Sequence, residues 1–323
     1  MRRSTRLVAT LVLTAAAVAY LAWKIDVGTT LDVLGETDLA WFIAAIAIMV
    51  GTVPVLALRW SLLLRSHGIV DRLPWLLRSY YVAHAAGQFL PTSLGGDAVR
   101  IVETSRRHPG RPAVITGTVV LERGLGGAAT VLLGAVGFAL SVGRYDVGAY
   151  LWLEAAFVLG TALLAFVFFA RSARPLLRRF EPVLRRLRVS GQLRTFYESI
   201  HHYRARARLL LGVVAMTFVV QAVRVLSIWA AAEAVGIHVS ARVYYVMGPL
   251  LFVVMLVPFT LNGIAVREAF FVSFLGSLGV DASQAFAAGF VFFLVTLAMA
   301  IPGASVMLWE GLRGGARPRV EHG

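Results

Sequence analysis

Stretches of about twenty apolar residues recur along this chain, and each is long enough to cross the hydrocarbon core of a bilayer as a helix. They fall at 7–23, 41–64, 113–140, 149–170, 209–235 and 283–309. Of the 323 residues, 59% are hydrophobic and 15% charged, whereas a soluble domain carries about 45–50% and 25%. That much apolar surface cannot be hidden in a water-soluble core of this size. The expected fold is all-α, a polytopic membrane helix bundle with about six full spans.

Two further apolar stretches are interrupted by proline and glycine. One runs from Leu73 to Arg106 with a break at Pro91–Gly96, and the other from Arg242 to Leu278 with a break at Pro258–Gly263. Broken backbone cannot face lipid, so each reads as a re-entrant hairpin buried in protein.

Basic residues mark the cytoplasmic side of such a chain. All but one of the 31 basic residues are arginines, the exception being Lys24. Arg2, Arg3 and Arg6 put the N-terminus inside, and the acidic loop of Asp26, Asp32, Glu36 and Asp38 belongs outside. Arg59, Arg65, Arg72 and Arg78, the eleven arginines of Arg171–Arg208, and the tail with Arg313, Arg317 and Arg319 return to the inside. Six spans and two hairpins satisfy every loop. Arg2–Arg6, the apolar core and Ala17-Val18-Ala19 would also fit a cleaved secretory signal, but the run is near spanning length and well charged on its inner flank. The Arg171–Arg208 segment reads as an amphipathic linker on anionic lipid, and nucleic acid is set aside as a partner.

The two breaks are copies of one motif. Pro91-Thr-Ser-Leu-Gly-Gly-Asp-Ala-Val-Arg100 aligns without a gap on Pro258-Phe-Thr-Leu-Asn-Gly-Ile-Ala-Val-Arg267, with six identities in ten. Upstream, Arg59 precedes Pro91 by 32 residues, Arg224 precedes Pro258 by 34, and Gly68-Ile69 is matched by Gly236-Ile237. The first unit enters from outside and the second from the cytoplasm, which predicts an inverted-topology repeat. In transporters of that design the paired broken segments mark a binding site near the midplane. The chain then reads as one domain over 1–323: a first span and outer loop (1–40), repeat A (41–140), an extra span and basic linker (141–208), repeat B (209–309) and a tail (310–323).

The chemistry expected at such a site is anion binding. Gly96 with Asp97, and Asn262 with Gly263, stand at candidate helix starts, where free N–H groups and partial positive charge suit phosphate or carboxylate. Arg100 and Arg267 lie about one turn further on, and their forked guanidinium groups can grip phosphate through two bonds. Glu103 and Glu268 sit beside them, and Arg59, Glu122, Arg123 and Arg224 fall within or near spans, where an ionisable residue costs about 2.5–3.5 kcal/mol unless it finds a partner or cavity. Five arginines against four carboxylates leave one positive charge over. His84 reads as a packing histidine. No nucleotide-binding loop is present, no histidine spacing fits a metal site, and no cofactor is called for. The absence of cysteine removes disulfides and thiolate chemistry.

Gln88-Phe-Leu-Pro-Thr-Ser-Leu-Gly-Gly-Asp-Ala-Val-Arg100, Leu121-Glu-Arg123 and Pro258-Phe-Thr-Leu-Asn-Gly-Ile-Ala-Val-Arg-Glu268 resemble the lysylphosphatidylglycerol synthase transmembrane-region family of flippase-like proteins, over nearly the whole chain. The resemblance implies a multi-pass protein of a prokaryotic plasma membrane that moves a polar-headed lipid between leaflets. It implies headgroup contacts at Gly96, Asp97, Arg100, Asn262, Gly263, Arg267 and Glu268. Two departures stand out: Ala265 where the family suggests glycine, and no basic residue in Phe290–Ala300. No aminoacyl-transferase domain is present in these residues, so the reading is a non-enzymatic lipid transporter. The runner-up is an accessory protein or transferase acting on a polyprenyl-phosphate-linked sugar, and a scaffold subunit is a third reading. Membrane lipids are the expected partners, with a separate lipid-modifying enzyme and a second copy of the chain left open.

Overall fold

The computed structural model describes residues 26–89, 95–141, 149–150, 152–153, 155–160, 207–255, 263 and 265–314. Every regular element among them is a helix: α1 (Val27–Gly35), α2 (Leu39–Ser66), α3 (Leu73–Phe89), α4 (Gly95–Arg107), α5 (Pro112–Ser141), α6 (Ala207–Glu233), α7 (Ala241–Met255), α8 (Val266–Gly276) and α9 (Ala282–Gly314). Four helices are apolar and long enough to cross a membrane, at Leu39–Ser66, Pro112–Ser141, Arg208–Glu233 and Ala282–Glu310. They coincide with four of the expected spans. The run at 7–23 lies outside the described residues, and of 149–170 only the helical residues up to 160 are described.

The broken stretches form short helices. At 1.5 Å per residue, the 13 residues of α4 reach about 20 Å, short of the roughly 30 Å of a bilayer core. Of the two breaks, residues 90–94 and 256–262 lie outside the described residues, and with them Pro91, Pro258 and Asn262.

Local chemistry ends α2 and α6 in the same way. Gly68 and Gly236 adopt φ of 73° and 77°, a left-handed conformation that costs glycine nothing. In both cases the glycine N–H and the following isoleucine N–H cap the helix: Gly68 to Arg65 and Ile69 to Leu64, Gly236 to Glu233 and Ile237 to Ala232. This is a Schellman motif, and it is the physical content of the repeated Gly-Ile pair.

Packing repeats as well. Helices α2 and α6 run against each other at the centre. Exchanging α2 with α6, α3 with α7, α4 with α8 and α5 with α9 carries the packing of α3 on α9 onto that of α7 on α5. It likewise carries α3–α4 onto α7–α8, α4–α5 onto α8–α9, α2–α9 onto α6–α5, α2–α3 onto α6–α7 and α2–α5 onto α6–α9. The closest crossings obey the same exchange. Gly137 of α5 lies on the Tyr245 carbonyl of α7, and Gly303 of α9 lies on the Tyr81 carbonyl of α3, each too close for a Cβ. Both tyrosines belong to a Tyr-Tyr-Val triplet, at 80–82 and 244–246.

The two hairpins open at opposite ends of the bundle. Asp71, ahead of α3, binds Arg107 at 2.8 Å and His108 at 2.8 Å, at the end of α4. Val235, ahead of α7, accepts a bond of 2.9 Å from Gln284, which follows α8. That second end also holds the start of α2, where Asp38 N–H donates to the Ala234 carbonyl at 2.8 Å. The core shared by both halves includes Trp60, Leu76, Tyr244, Met247, Phe271 and Val295.

Candidate functional site

Five helices bring charge together around one carboxylate. Glu122 of α5 is 4% exposed and accepts from Arg59 Nε of α2 at 3.1 Å, Tyr80 Oη of α3 at 2.9 Å and Arg100 Nη1 of α4 at 2.7 Å. Arg59 Nη1 donates onward to Thr217 of α6 at 2.9 Å. Arg100 reaches Asp97 at 3.1 Å, one turn back on α4, and Asp97 also pairs with Arg123. A buried charge needs such a set of charged and hydrogen-bonding partners, because its desolvation cost is several kcal/mol.

Aromatic rings complete the cage. The Arg100 guanidinium lies 4.3 Å from the centre of the Trp60 ring and 4.4 Å from that of Tyr80. The two rings meet edge to face at 5.8 Å, and Trp60 donates to Thr118 at 3.1 Å. A cation stacked on two rings and hydrogen-bonded along its edge holds a fixed geometry. Exposure falls inward, with side-chain values of 39% at Arg123, 21% at Asp97 and 3% at Arg100. The cluster is therefore approached from the Asp97–Arg123 side.

The residues expected to act together divide into three places. Arg59, Asp97, Arg100, Glu122 and Arg123 form this cluster, with Arg224 of α6 close enough to feel the charge of Arg59. Arg267 and Glu268 pair with each other on α8, at 2.9 Å and 2.6 Å, and among the described residues their side chains hydrogen-bond nothing else. Arg267 also stacks at 4.8 Å on Phe293 of α9, within the stretch that lacks a basic residue. Glu103 is elsewhere: it binds Arg78 at 3.1 Å, and Arg78 also binds Glu310 of α9. Without Glu103, the arginines number five against three carboxylates, a surplus of two.

The glycines have packing reasons. Gly96 rests on the Ala83 carbonyl, so α4 folds closely onto α3. Gly263 sits at φ 73° against the end of Met255. Asn262 lies outside the described residues. Ala265 adopts φ 67°, which explains why glycine would suit this position.

Three members of the site lie outside the motifs singled out in the sequence: Trp60, Tyr80 and Thr217. Tyr80 has a signal that could have found it, the repeated Tyr-Tyr-Val triplet. Thr217, on a helix 158 residues away from Arg59, has none. The buried Nε2 of His84 has no hydrogen-bond partner, so the ring is packed without being satisfied there. Among the described residues, no group of three His, Cys, Asp or Glu side chains could hold a metal ion. An apolar cleft of about 280 Å³ between α1 and α9, lined by Val27, Leu31, Leu34 and Phe286, contains none of these charges.

Comparison with known protein families gives a match to the family described as the lysylphosphatidylglycerol synthase TM region, over residues 7–303. No curated protein sequence matches the chain.

Proposed function

The chain belongs to the lysylphosphatidylglycerol synthase TM-region family, and from that premise we propose that it carries a lipid with an anionic head between membrane leaflets. The observation that carries this reading is the buried cluster of Arg59, Arg100 and Glu122, reached past Asp97 and Arg123, with more cations than acids. A cluster built only to hold helices together has no use for unmatched charge in a medium where each costs about 2.5–3.5 kcal/mol. An anionic head entering there would supply the missing negative charge.

Motion follows from the architecture. The exchange of helix packings, the matched glycine crossings and the hairpins opening at opposite ends support an inverted-topology repeat. The two halves rock about the α2–α6 contact and open the cluster to one leaflet and then the other. Headgroup contacts are assigned to Arg59, Asp97, Arg100, Glu122, Arg123 and Arg224. The Arg267–Glu268 pair, already neutral, acts in the mirror state. The protein works in a prokaryotic plasma membrane with both termini in the cytoplasm, without chemistry of its own. It hands lipid to or from a separate modifying enzyme.

Reconstitution tests the proposal. In liposomes of phosphatidylcholine with labelled anionic lipid, the protein accelerates leaflet exchange over empty vesicles, and Arg100→Gln removes the acceleration while the chain stays folded. Exchange no faster than in empty vesicles, with folded protein at several densities, refutes the transport reading.

A further inference from the structure

Arg59 of α2 and Arg224 of α6 both lie in the later part of their helices, 9 residues before Gly68 and 12 before Gly236, yet they are treated differently. Arg59 meets Glu122 of α5 at 3.0 Å. The register set by Gly137 and Gly303, 166 residues apart, places Ala288 of α9 opposite Glu122. Ala288 is fully buried and carries no charge. The second half has the arginine and lacks the acid. Tyr244, the counterpart of Tyr80, likewise has a buried hydroxyl without a partner.

What is left over gathers on one side of the first cluster. Arg224 takes part in no hydrogen bond or ion pair among the described residues, and its buried Nε has no partner. Two other buried nitrogens lack partners, His84 Nε2 on α3 and Arg100 Nε on α4. His84 lies within electrostatic reach of Arg224, Arg100 and Asp97, and its ring is 6.4 Å from that of Tyr80. Three buried nitrogens without partners thus come from three helices, with both arginines within electrostatic reach of His84. Among the described residues around them, Arg59, Arg100, Arg123 and Arg224 are balanced by Asp97 and Glu122, a surplus of two positive charges.

We propose that Arg224, Arg100 and His84 form an anion subsite that selects a lipid head with two negative charges, a phosphate monoester, over a singly charged phosphodiester. A monoester carries about −1.5 to −2 near neutral pH and three terminal acceptor oxygens, whereas a diester offers one charge and two such oxygens. Guanidinium forks on two sides and an imidazole N–H on the third match the monoester in charge and in donor number. The inference rests on the transport reading and narrows its substrate.

The full chain in nanodiscs, presented with phosphatidic acid or phosphatidylglycerol and read by native mass spectrometry, tests it. The wild-type chain binds the monoester about tenfold or more tightly, the scale of one charge-assisted hydrogen bond. Arg224→Gln brings phosphatidic acid binding down to the level of phosphatidylglycerol, and Arg224→Lys retains part of the preference. The thermal midpoint of Arg224→Gln, no lower than wild type, separates this result from misfolding. Equal binding of the two lipids by wild type, or a preference that survives Arg224→Gln, overturns the inference and leaves transport standing. Inorganic phosphate bound by detergent-purified protein and not displaced by phosphatidic acid overturns the lipid source. Failure to retain either lipid removes the transport reading and this inference together.

Discussion

Glu122 joins Arg59 and Arg100 through its two oxygens: Arg59 Nη2 stands 3.0 Å from Oε1, and Arg100 Nη1 stands 2.7 Å from Oε2. One carboxylate thus holds two buried guanidinium groups that arrive from different helices. It ties the α3–α4 hairpin to the central helices, and it does so with less negative charge than the arginines require.

Glu122→Gln takes the shared carboxylate from both buried arginines, leaving Arg100 with Asp97 and Arg59 with Thr217, and breaking a buried pair in this way costs about 3–5 kcal/mol. Arg224→Gln has the opposite sign, because it removes a charge with no hydrogen-bonding partner among the described residues and relieves up to about 2.5–3.5 kcal/mol. Thermal midpoints of the purified variants in one detergent check both. A midpoint lowered by Arg224→Gln would mean that the arginine is a structural member of the bundle.

Gly137→Ala and Gly303→Ala each force a Cβ onto a backbone carbonyl, of Tyr245 and Tyr81 respectively. Overpacking of this kind costs about 1–3 kcal/mol. Because the two crossings are counterparts, the losses are alike within about 1 kcal/mol, the lower end of that range. Thermal unfolding decides it, and a large effect at one glycine with none at the other would break the correspondence between the halves.

Much of this architecture is legible in the order of the residues alone. The four long helices follow from apolar length, and the paired motifs Pro91–Arg100 and Pro258–Arg267 lead to the expectation of a repeated unit, which the exchange of helix packings supports. The Gly-Ile matches also hold a definite meaning, the left-handed cap that stops α2 and α6. Partner choice is not legible. Nothing in the chain near Glu103 says that it turns to Arg78 and Glu310 while Asp97, two turns earlier on α4, turns to Arg100 and Arg123. Such pairings are set by which helix faces meet, a tertiary fact that helical spacing cannot supply. The orphaned state of Arg224 emerges only when α9 is laid against α5 and Ala288 is found where Glu122 would be.

Ala265 holds φ 67° and ψ −38° just before α8, a sparsely populated conformation that costs a residue with a Cβ about 1–3 kcal/mol. Ala265→Gly therefore raises stability by about 1 kcal/mol, the gain being reduced by the freedom glycine has in the unfolded chain. A thermal midpoint that falls on this substitution would show that the alanine methyl packs for more than the strain it causes.

Arg78 joins α3, α4 and α9 across the end at which the first hairpin opens, through Glu103 and Glu310 with side chains 23%, 26% and 50% exposed. Ion pairs this accessible contribute about 1 kcal/mol or less. Arg78→Gln thus leaves the thermal midpoint nearly unchanged and raises the leaflet-exchange rate, because the tie across the opening is gone. Stopped-flow quenching of labelled lipid in liposomes measures that rate. An unchanged rate assigns the trio to the surface alone.

Transport by this chain requires that a lipid head enter the arginine cluster. Electron cryo-microscopy of the protein in nanodiscs containing phosphatidic acid examines this step itself. Headgroup density is expected within hydrogen-bonding distance of Arg100 and Arg224, with acyl chains leaving past Asp97 and Arg123. A map with lipid heads only at the membrane surface, and a closed cluster bare of lipid density in every conformational class, would contradict it.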